Sequence, residues 1–442
     1  MTSEQRVVVI GGGLAGLRLA ARLGGDAEVT VLGEEPHVPY NRVLLAEVLA
    51  GRYAPEVIAL PTPGPVLRRG VRAVRVDRAD RLVHCDDGAA LAYDSLVLAT
   101  GSNPVLPPLR GLFEPGEREL PDGVHAFRTM DDCLALSEAV RPGVRAVVIG
   151  GGLLGVSAAR ALASRGAQVV LAQQGERLME RQLNADASAL LATHLTDLGI
   201  EIHTECRVRG LTTSAAAQPH QAGGISQIQP LRRSRSGVRG GAPAAAPHPA
   251  THAGPRKVTG VELADGYRLD ADLVVLACGV RPRTGLAGAA GLTVRKGIVV
   301  DDHLRTGDPR VHAIGDCAEH AGQVYGLAGA ALEQADALAA TLTGRPTRYT
   351  GTRALTRLTL GGAGDPFDLA AFGETTPRPG DDVVRLADAT RRTYRTVVVR
   401  GDRLVGGVLL GELSTVGALA RGWADDEDLN SLFHLLTDDG GH

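Results

Sequence analysis

The sequence predicts an α/β protein built on two parallel-sheet units, and three observations carry the prediction. A strand–turn–helix–strand pattern occurs twice, at residues 6–34 and 145–173. A second echo follows each copy: YDSLVLATG at 93–101 and DADLVVLACG at 270–279, both apolar strands ending in a small residue and glycine. The length, 442 residues, exceeds one ordinary domain and suggests about three.

The first element in each copy is an apolar, β-branched run, RVVVI at 6–10 and RAVVI at 145–149. Runs apolar on both faces suit strands covered on both sides of a parallel sheet. A glycine cluster follows, with Gly11, Gly13 and Gly16 in the first copy and Gly150, Gly152 and Gly155 in the second, each pair 139 residues apart. The spacing G-x-G-x-x-G has a mechanism. Its first glycine makes a tight turn, its second lets backbone approach a pyrophosphate, and its third lets helix pack on strand. The small-residue helix that opens there aims its N-terminus at phosphate charge. One such spacing is a weak signal, but two in matching strand–helix context predict two dinucleotide sites.

Composition narrows the classes. The formal net charge is −3, so no overall basic field draws the protein to nucleic acid. The five cysteines, Cys85, Cys133, Cys206, Cys278 and Cys317, form no C-x-x-C pair. A disulfide framework, a zinc or iron–sulfur site and a dithiol centre are therefore not expected, and no metal ligand set is assigned. Cys278 and Cys317 sit at strand ends and read as small core residues. Lys257 and Lys296 are the only lysines. The N-terminus runs directly into a strand without a basic n-region and apolar h-region, and no apolar run reaches the 18 residues of a membrane helix. The expectation is a soluble, cytoplasmic protein with no membrane contact.

Between Glu205 and Glu262 there is no acidic residue, and residues 211–257 are mostly Ala, Gly, Ser, Pro, Gln and Arg. Such a stretch buries too little apolar surface to offset its ordering entropy. It is expected to be a disordered insert at a hairpin of the second unit, with a basic docking arm as the alternative.

These motifs, together with TGDPRVHAIGDCA at 306–318, resemble the two-dinucleotide FAD/NAD(P)H flavoprotein reductases of the pyridine nucleotide-disulfide oxidoreductase type. Within that group GEEPHVPYNRVLL at 33–45, GGGLLG at 150–155, GIVVDDHLRTGDPRVHAIGDCA at 297–318 and VYGLAG at 324–329 are most similar to the FAD/NADH-binding portion of the assimilatory nitrite reductase large subunit. The similarity continues through LTRLTLGGAGDPFDLAAFG at 355–373 and TYRTVVVRGDRLVGGVLLGELSTVG at 393–417, which resemble the small domain that follows there. The resemblance implies two Rossmann-like, three-layer ββα dinucleotide-binding domains plus a small C-terminal α+β domain. Residues 1–115 with 295–345 would bind FAD, 116–294 would bind NAD(P)H, and 346–442 would form the C-terminal domain.

The resemblance also implies site residues. Gly11, Gly13, Leu14, Ala15 and Gly16 would cradle the FAD pyrophosphate, and Glu34 would hold the adenosine ribose. Ala73 would offer a backbone contact to the adenine, and Thr100 and Gly101 the end of the flanking strand. Asp316 would bond the ribityl chain. Arg42 would meet a flavin phosphate or the isoalloxazine side. Arg128 would be either a further FAD contact or a domain-linking salt bridge. The helix beginning near Ala328 would aim its dipole at the flavin pyrimidine edge. In the second unit Gly150, Gly152, Leu153, Leu154, Gly155 and Gly279 would hold the NAD(P)H diphosphate. Gln173 falls where an acid would face the ribose 2′-hydroxyl. An acid there would repel a 2′-phosphate by about 4 kcal/mol at 4 Å and an effective dielectric of 20. Gln173 thus predicts weak discrimination between NADH and NADPH, with Arg177 a candidate to assist a phosphate.

Two departures stand out. Many relatives pair a Lys after the P-Y-x-R stretch with a Glu in the second helix, near flavin N5; here those positions are Glu47 and Ser157. The redox cysteines of the disulfide reductases and NADH oxidases are also missing from the first helix region. No catalytic side chain is assigned, because the flavin carries the chemistry. The expected function is hydride transfer from NAD(P)H to FAD and onward electron delivery to a separate protein in nitrite or nitrate assimilation. That acceptor would be the reductase itself or a small iron–sulfur carrier. A rubredoxin or ferredoxin reductase, or a redox-sensing flavoprotein, is the alternative, and a homodimer is possible.

Overall fold

The computed structural model describes residues 5–62, 67–114, 116, 119–215, 256–345, 347–361, 367–411, 413 and 415–424. Strand Arg6–Ile10 lies at the middle of a five-stranded parallel sheet, flanked by Glu28–Gly33 and Ser95–Leu98, with Leu67–Arg69 and Val311–Ala313 at the edges. Val7 and Val9 are fully buried, as a strand covered on both faces requires. The second sheet repeats the design: Arg145–Ile149 is central, between Gln168–Ala172 and Leu273–Leu276, with Ile200–His203 and Val124–Ala126 outside. Both glycine-rich turns therefore sit at the carboxyl end of a central strand, where strand order reverses and ligands of open α/β sheets bind.

A three-stranded antiparallel sheet adds a further layer to each unit, Ala73–Asp77, Leu82–Cys85 and Ala90–Ala92 in the first and Val208–Ala215, Arg256–Leu263 and Arg268–Asp270 in the second. The chain crosses between units through Ser102–Pro104 and Val280–Pro282, which pair antiparallel as a two-stranded ribbon.

The C-terminal sheet is wholly antiparallel, in the order Leu355–Thr359, Asp368–Gly373, Arg403–Gly411, Thr393–Arg400, Asp382–Asp388, and helix Val416–Ala424 packs on it. It is fused to the second unit. Leu360, Phe367, Leu369, Tyr394 and Leu410 share one core with helices Leu153–Ser164 and Ala185–Asp197. Phe367 stacks on His194 with ring centroids 4.0 Å apart, and Asn184 Nδ2 donates to the Tyr394 hydroxyl at 3.1 Å.

The expected disordered insert requires a correction at its ends. Residues 211–215 and 256–257 lie in paired strands, with Ala215 opposite Arg256. Leu211 is buried in the core of that layer with Val258 and Val261, so cross-strand packing overrides the polar composition beside it. The rest of the expected insert, 216–255, lies outside the described residues.

Because Ala215 and Arg256 are register partners, a short turn can join them directly. Replacing 216–255 by Asn-Gly should leave the thermal unfolding midpoint within a few degrees of the parent. A large fall measured by circular dichroism would show that the strand pair alone does not define this edge.

Helices Leu14–Leu23 and Ala328–Leu342 are tied by Asp336, which accepts from Arg18 and Arg22, each at 2.8 Å. The Arg18 hydrogen bond, against a smaller burial effect and with further help from Arg22, holds the Asp336 carboxyl down at about 2. A depressed acid contributes stability above its unfolded pKa, about 3.9, and loses it as pH falls through the folded value. Asp336→Asn should therefore unfold at lower urea than the parent near pH 6, with the two converging toward about pH 2. Parallel urea curves with a constant gap across that range would contradict the linkage.

Candidate dinucleotide site

Both glycine-rich turns open into one cavity of about 1860 Å³. The glycines divide by role. A Cβ on Gly11 would stand 2.0 Å from the Ala99 carbonyl oxygen, and one on Gly150 would stand 2.5 Å from that of Ala277. Both also take left-handed φ, +127° and +111°, which favours glycine. Gly16 and Gly155 press against the carbonyls of Gly11 and Gly150, where a Cβ would come within 2.0 and 1.7 Å. These two are packing residues and do not line the cavity. Gly13 and Gly152 are different: a Cβ there meets nothing within 4 Å. They leave bare backbone facing open space, which is what close approach of a phosphate needs.

Among the described helices of ten or more residues, three N-termini share this setting. Helices Leu14–Leu23, Leu153–Ser164 and Ala328–Leu342 each begin on the cavity wall with no side-chain cap and no acid in the first turn. Two other helices of that length are capped in the ordinary way, Met130–Ala139 by a Thr129 capping box and Ala185–Asp197 by Asn184. Free amides and positive dipole ends thus converge only where the cavity lies, among these five helices.

The remaining predicted residues also reach the wall: Leu14, Ala15, Glu34, Arg42, Ala73, Thr100, Gly101, Arg128, Leu153, Leu154, Gln173, Gly279, Asp316 and Ala328. Arg128 donates to Asp316 Oδ2 at 2.7 Å and to Ser102 Oγ at 2.7 Å, while Ser102 Oγ donates to the same carboxylate oxygen at 2.8 Å. The two alternatives for Arg128 are therefore compatible, because its ion pair joins the units on the cavity wall itself. Burial pulls the Arg128 pKa below the ordinary arginine value, against the opposing pull of Asp316. Its buried Nε has no partner among the described residues.

Arg42 lies beside this knot, donating to the Arg128 carbonyl at 2.6 Å and to Glu35 at 2.7 Å. Burial opposes its charge, but Tyr40 and Glu35 outweigh that and raise its pKa. Tyr40 donates to Glu35 at 2.7 Å and accepts from the Met130 amide. Burial pushes the Tyr40 phenol up, so it remains a donor at working pH.

Several partners were not legible in the sequence. Arg283 forms an ion pair with Glu34, and its backbone bonds both Thr100 Oγ1 and the Gly101 carbonyl. Arg160, 2% exposed, pairs with Glu47, which also meets Arg52 at 3.1 Å. The Lys–Glu pair is absent, yet Glu47 forms an ion pair of opposite polarity with Arg160, one turn beyond Ser157 on the second helix. Ser157 lines the cavity and bonds only its own helix, donating to the Leu153 carbonyl. Gln173 does not point freely into the site: its Oε1 accepts from the Gly151 amide at 2.8 Å. Residues 355–358 of the C-terminal sheet also line the cavity. No group of side chains suited to a metal ion occurs among the described residues, and no described helix is long and apolar enough to cross a membrane.

Comparison with known proteins agrees with this geometry. The chain is 32% identical over 93% of its length to the NAD(P)H nitrite reductase of Bacillus subtilis (strain 168). It is 30% identical over 92% of its length to the assimilatory nitrate reductase electron transfer subunit of the same organism. It spans 46% and 48% of those two proteins, about half of each. Among solved structures, the covalent putidaredoxin reductase–putidaredoxin complex superimposes with a TM-score of 0.76 at 25% identity, with full coverage of both chains. The pyridine nucleotide-disulphide oxidoreductase model matches residues 5–224 and 245–335. The chain belongs to that family of oxidoreductases, and with it to enzymes that use FAD and NAD(P)H.

Proposed function

We propose that this chain takes hydride from NAD(P)H onto FAD and passes the electrons to a separate redox protein of nitrite or nitrate assimilation. The observation that carries the proposal is the shared cavity, where two glycine cradles and three uncapped helix N-termini meet. The residues fit FAD in the first cradle: bare backbone at Gly13 and a carboxylate at Asp316 supply a phosphate approach and a hydroxyl acceptor. When bound, FAD supplies a store for the two electrons of a hydride between its donor and a one-electron acceptor.

The protein's own contribution is binding and orientation. Gly11, Gly13, Leu14, Ala15 and Gly16 form the FAD cradle, with Glu34, Ala73, Thr100 and Gly101 along its adenosine side. Asp316, held by Arg128 and Ser102, presents a fixed carboxylate to the ribityl chain, with Arg42 beside it. The N-terminus at Ala328 offers unpaired amides where negative charge would develop. Gly150, Gly152, Leu153, Leu154, Gln173 and Gly279 form the nicotinamide nucleotide side of the same cavity, with Gly155 packed behind it against the Gly150 carbonyl. The similarity to the nitrate reductase electron transfer subunit supports the assimilatory acceptor. Full-length superposition on a reductase bound to putidaredoxin supports the second reading, a reductase for a small iron–sulfur protein.

The cradle is tested by Gly13→Val. That position has ordinary φ and free space around its Cβ, so the variant should fold. Its side chain would occupy the approach to the pyrophosphate, and flavin absorbance per chain should fall at least about tenfold, a loss of roughly 1.4 kcal/mol or more in affinity. Retention of full flavin content would remove the first cradle from the assignment. Gly152→Val should spare flavin content and weaken nicotinamide nucleotide binding.

The acceptor is tested by reconstitution. NAD(P)H, this protein and a sirohaem nitrite reductase or molybdenum nitrate reductase should together turn over nitrite or nitrate. Inactivity of that mixture, with fast reduction of a ferredoxin or rubredoxin, would favour the second reading.

A further inference from the structure

We infer that Glu180 makes this protein select NADH over NADPH, supplying from a neighbouring loop the acid that Gln173 does not provide. The inference rests on the reading of the second cradle as the NAD(P)H site. Three observations carry it.

First, Gln173 is already engaged. Its Oε1 accepts from the Gly151 amide at 2.8 Å, and its Nε2 donates to the Arg177 carbonyl at 3.4 Å. The side chain braces the glycine-rich turn and is not free to define the nucleotide's 2′ position.

Second, the loop after it returns to the same spot. A Cβ built on Gly175 would stand 2.5 Å from Glu180 Oε2 and 2.8 Å from Gln173 Nε2. The carboxylate and the amide therefore converge on one point, at the end of strand Gln168–Ala172, and both residues line the cavity. This is the end of the strand whose terminal residue faces the ribose in βαβ dinucleotide units.

Third, the loop is held there by its own backbone. Met179 is buried and takes φ of +49°, a left-handed conformation that is uncommon away from glycine. Its amide donates to the Gly151 carbonyl at 2.9 Å, and its carbonyl accepts from Gln182 and Leu183 at 2.8 and 2.9 Å. Leu178 packs beside it, within 2.6 Å of where a Gly151 Cβ would stand. A turn built around a strained, buried residue presents the next side chain, Glu180, to the cavity.

The chemistry follows from charge. A carboxylate at this point accepts a hydrogen bond from a ribose 2′-hydroxyl and repels a 2′-phosphate. The nearby cations do not cancel it by geometry. Arg177 does not line the cavity. Arg181 does, but no ion pair joins it to Glu180 among the described residues.

The test compares the purified flavoprotein with Glu180→Gln, Glu180→Arg, Glu180→Asp and Arg181→Ala. Two readouts are used: kcat/KM for NADH and NADPH with ferricyanide as acceptor, and Kd for NAD+ and NADP+ by calorimetry. The parent should prefer NADH and NAD+. Glu180→Gln should lower that preference about tenfold, chiefly through a lower KM for NADPH and tighter NADP+ binding, and Glu180→Arg should lower it further. Glu180→Asp should retain the direction of preference. A parent that prefers NADPH, or an unchanged NADH/NADPH ratio in both Glu180→Gln and Glu180→Arg, overturns the inference. A preference for NADPH that disappears in Arg181→Ala would assign the role to Arg181 instead. Failure of the parent to oxidise either nucleotide, with no binding of NAD+ or NADP+, would refute the site reading itself, an outcome distinct from loss of selectivity alone.

Discussion

The knot of Arg128, Asp316 and Ser102 joins the two glycine-rich α/β units on the wall of one cavity. Each glycine cradle is local and needs only its own strand and helix. The cavity needs both units held at a fixed distance, and this knot supplies a link where they face it. Asp316 follows the edge strand of the first sheet, Ser102 starts the crossover ribbon, and Arg128 follows the edge strand of the second sheet. Arg128 and Ser102 both donate to one carboxylate oxygen of Asp316, with Arg128 and Asp316 only 16% and 19% exposed. A buried charge is tolerated when it is paired and hydrogen-bonded, and removing one partner is far costlier than the pair is stabilising. Arg42 reinforces the arrangement through the Arg128 carbonyl, and is itself held by Glu35 and Tyr40.

Around that link the electrostatics of the cavity come mostly from backbone. Uncapped helix ends at Leu14, Leu153 and Ala328 leave amides to be satisfied by something other than the protein. Such groups are costly when left without partners, and side-chain caps, water or a ligand take that role. The two middle glycines, Gly13 and Gly152, keep the approach clear at two of these ends. Function here is prepared by what is left out, a side chain and a cap, as much as by charged groups.

That economy explains what could be read from the sequence. Glycines at fixed spacing after an apolar strand are a local signal, and the 139-residue repetition made it a strong one. Gly11, Gly13 and Gly16 have separable roles in the structure, as their spacing implies. Long-range side-chain partners left no such mark. Glu34 and Arg283 are 249 positions apart, and Glu47 and Arg160 are 113 apart, with no periodicity connecting them. Gln173 lines the cavity, but its engagement with Gly151 depends on a rotamer that spacing does not encode. At 211–215 the polar composition pointed to disorder, whereas register with 256–263 and burial of Leu211 produce strand. Local propensity gave way there to tertiary pairing.

The Glu47–Arg160 pair shows how a departure from a family pattern can be absorbed. Helix Leu153–Ser164 presents two positions of interest, one turn apart. Ser157 faces the cavity, where its hydroxyl is satisfied by the Leu153 carbonyl and brings no charge. Arg160 does not line the cavity, and its charge is directed to Glu47 on the short helix Leu45–Leu49. The mechanical part of an inter-helix ion pair, holding the two units together, is therefore retained with its polarity reversed. The electrostatic part differs, because the charges no longer stand on the cavity wall and Arg52 adds a second cation to the same carboxylate. Since the Arg160 guanidinium is almost wholly buried, with Nε and Nη1 unpartnered among the described residues, its burial is tolerated through its pairing with Glu47. The pair thus couples the position of the helix carrying the second glycine cradle to a charge in the first unit, without placing that charge against the reacting groups.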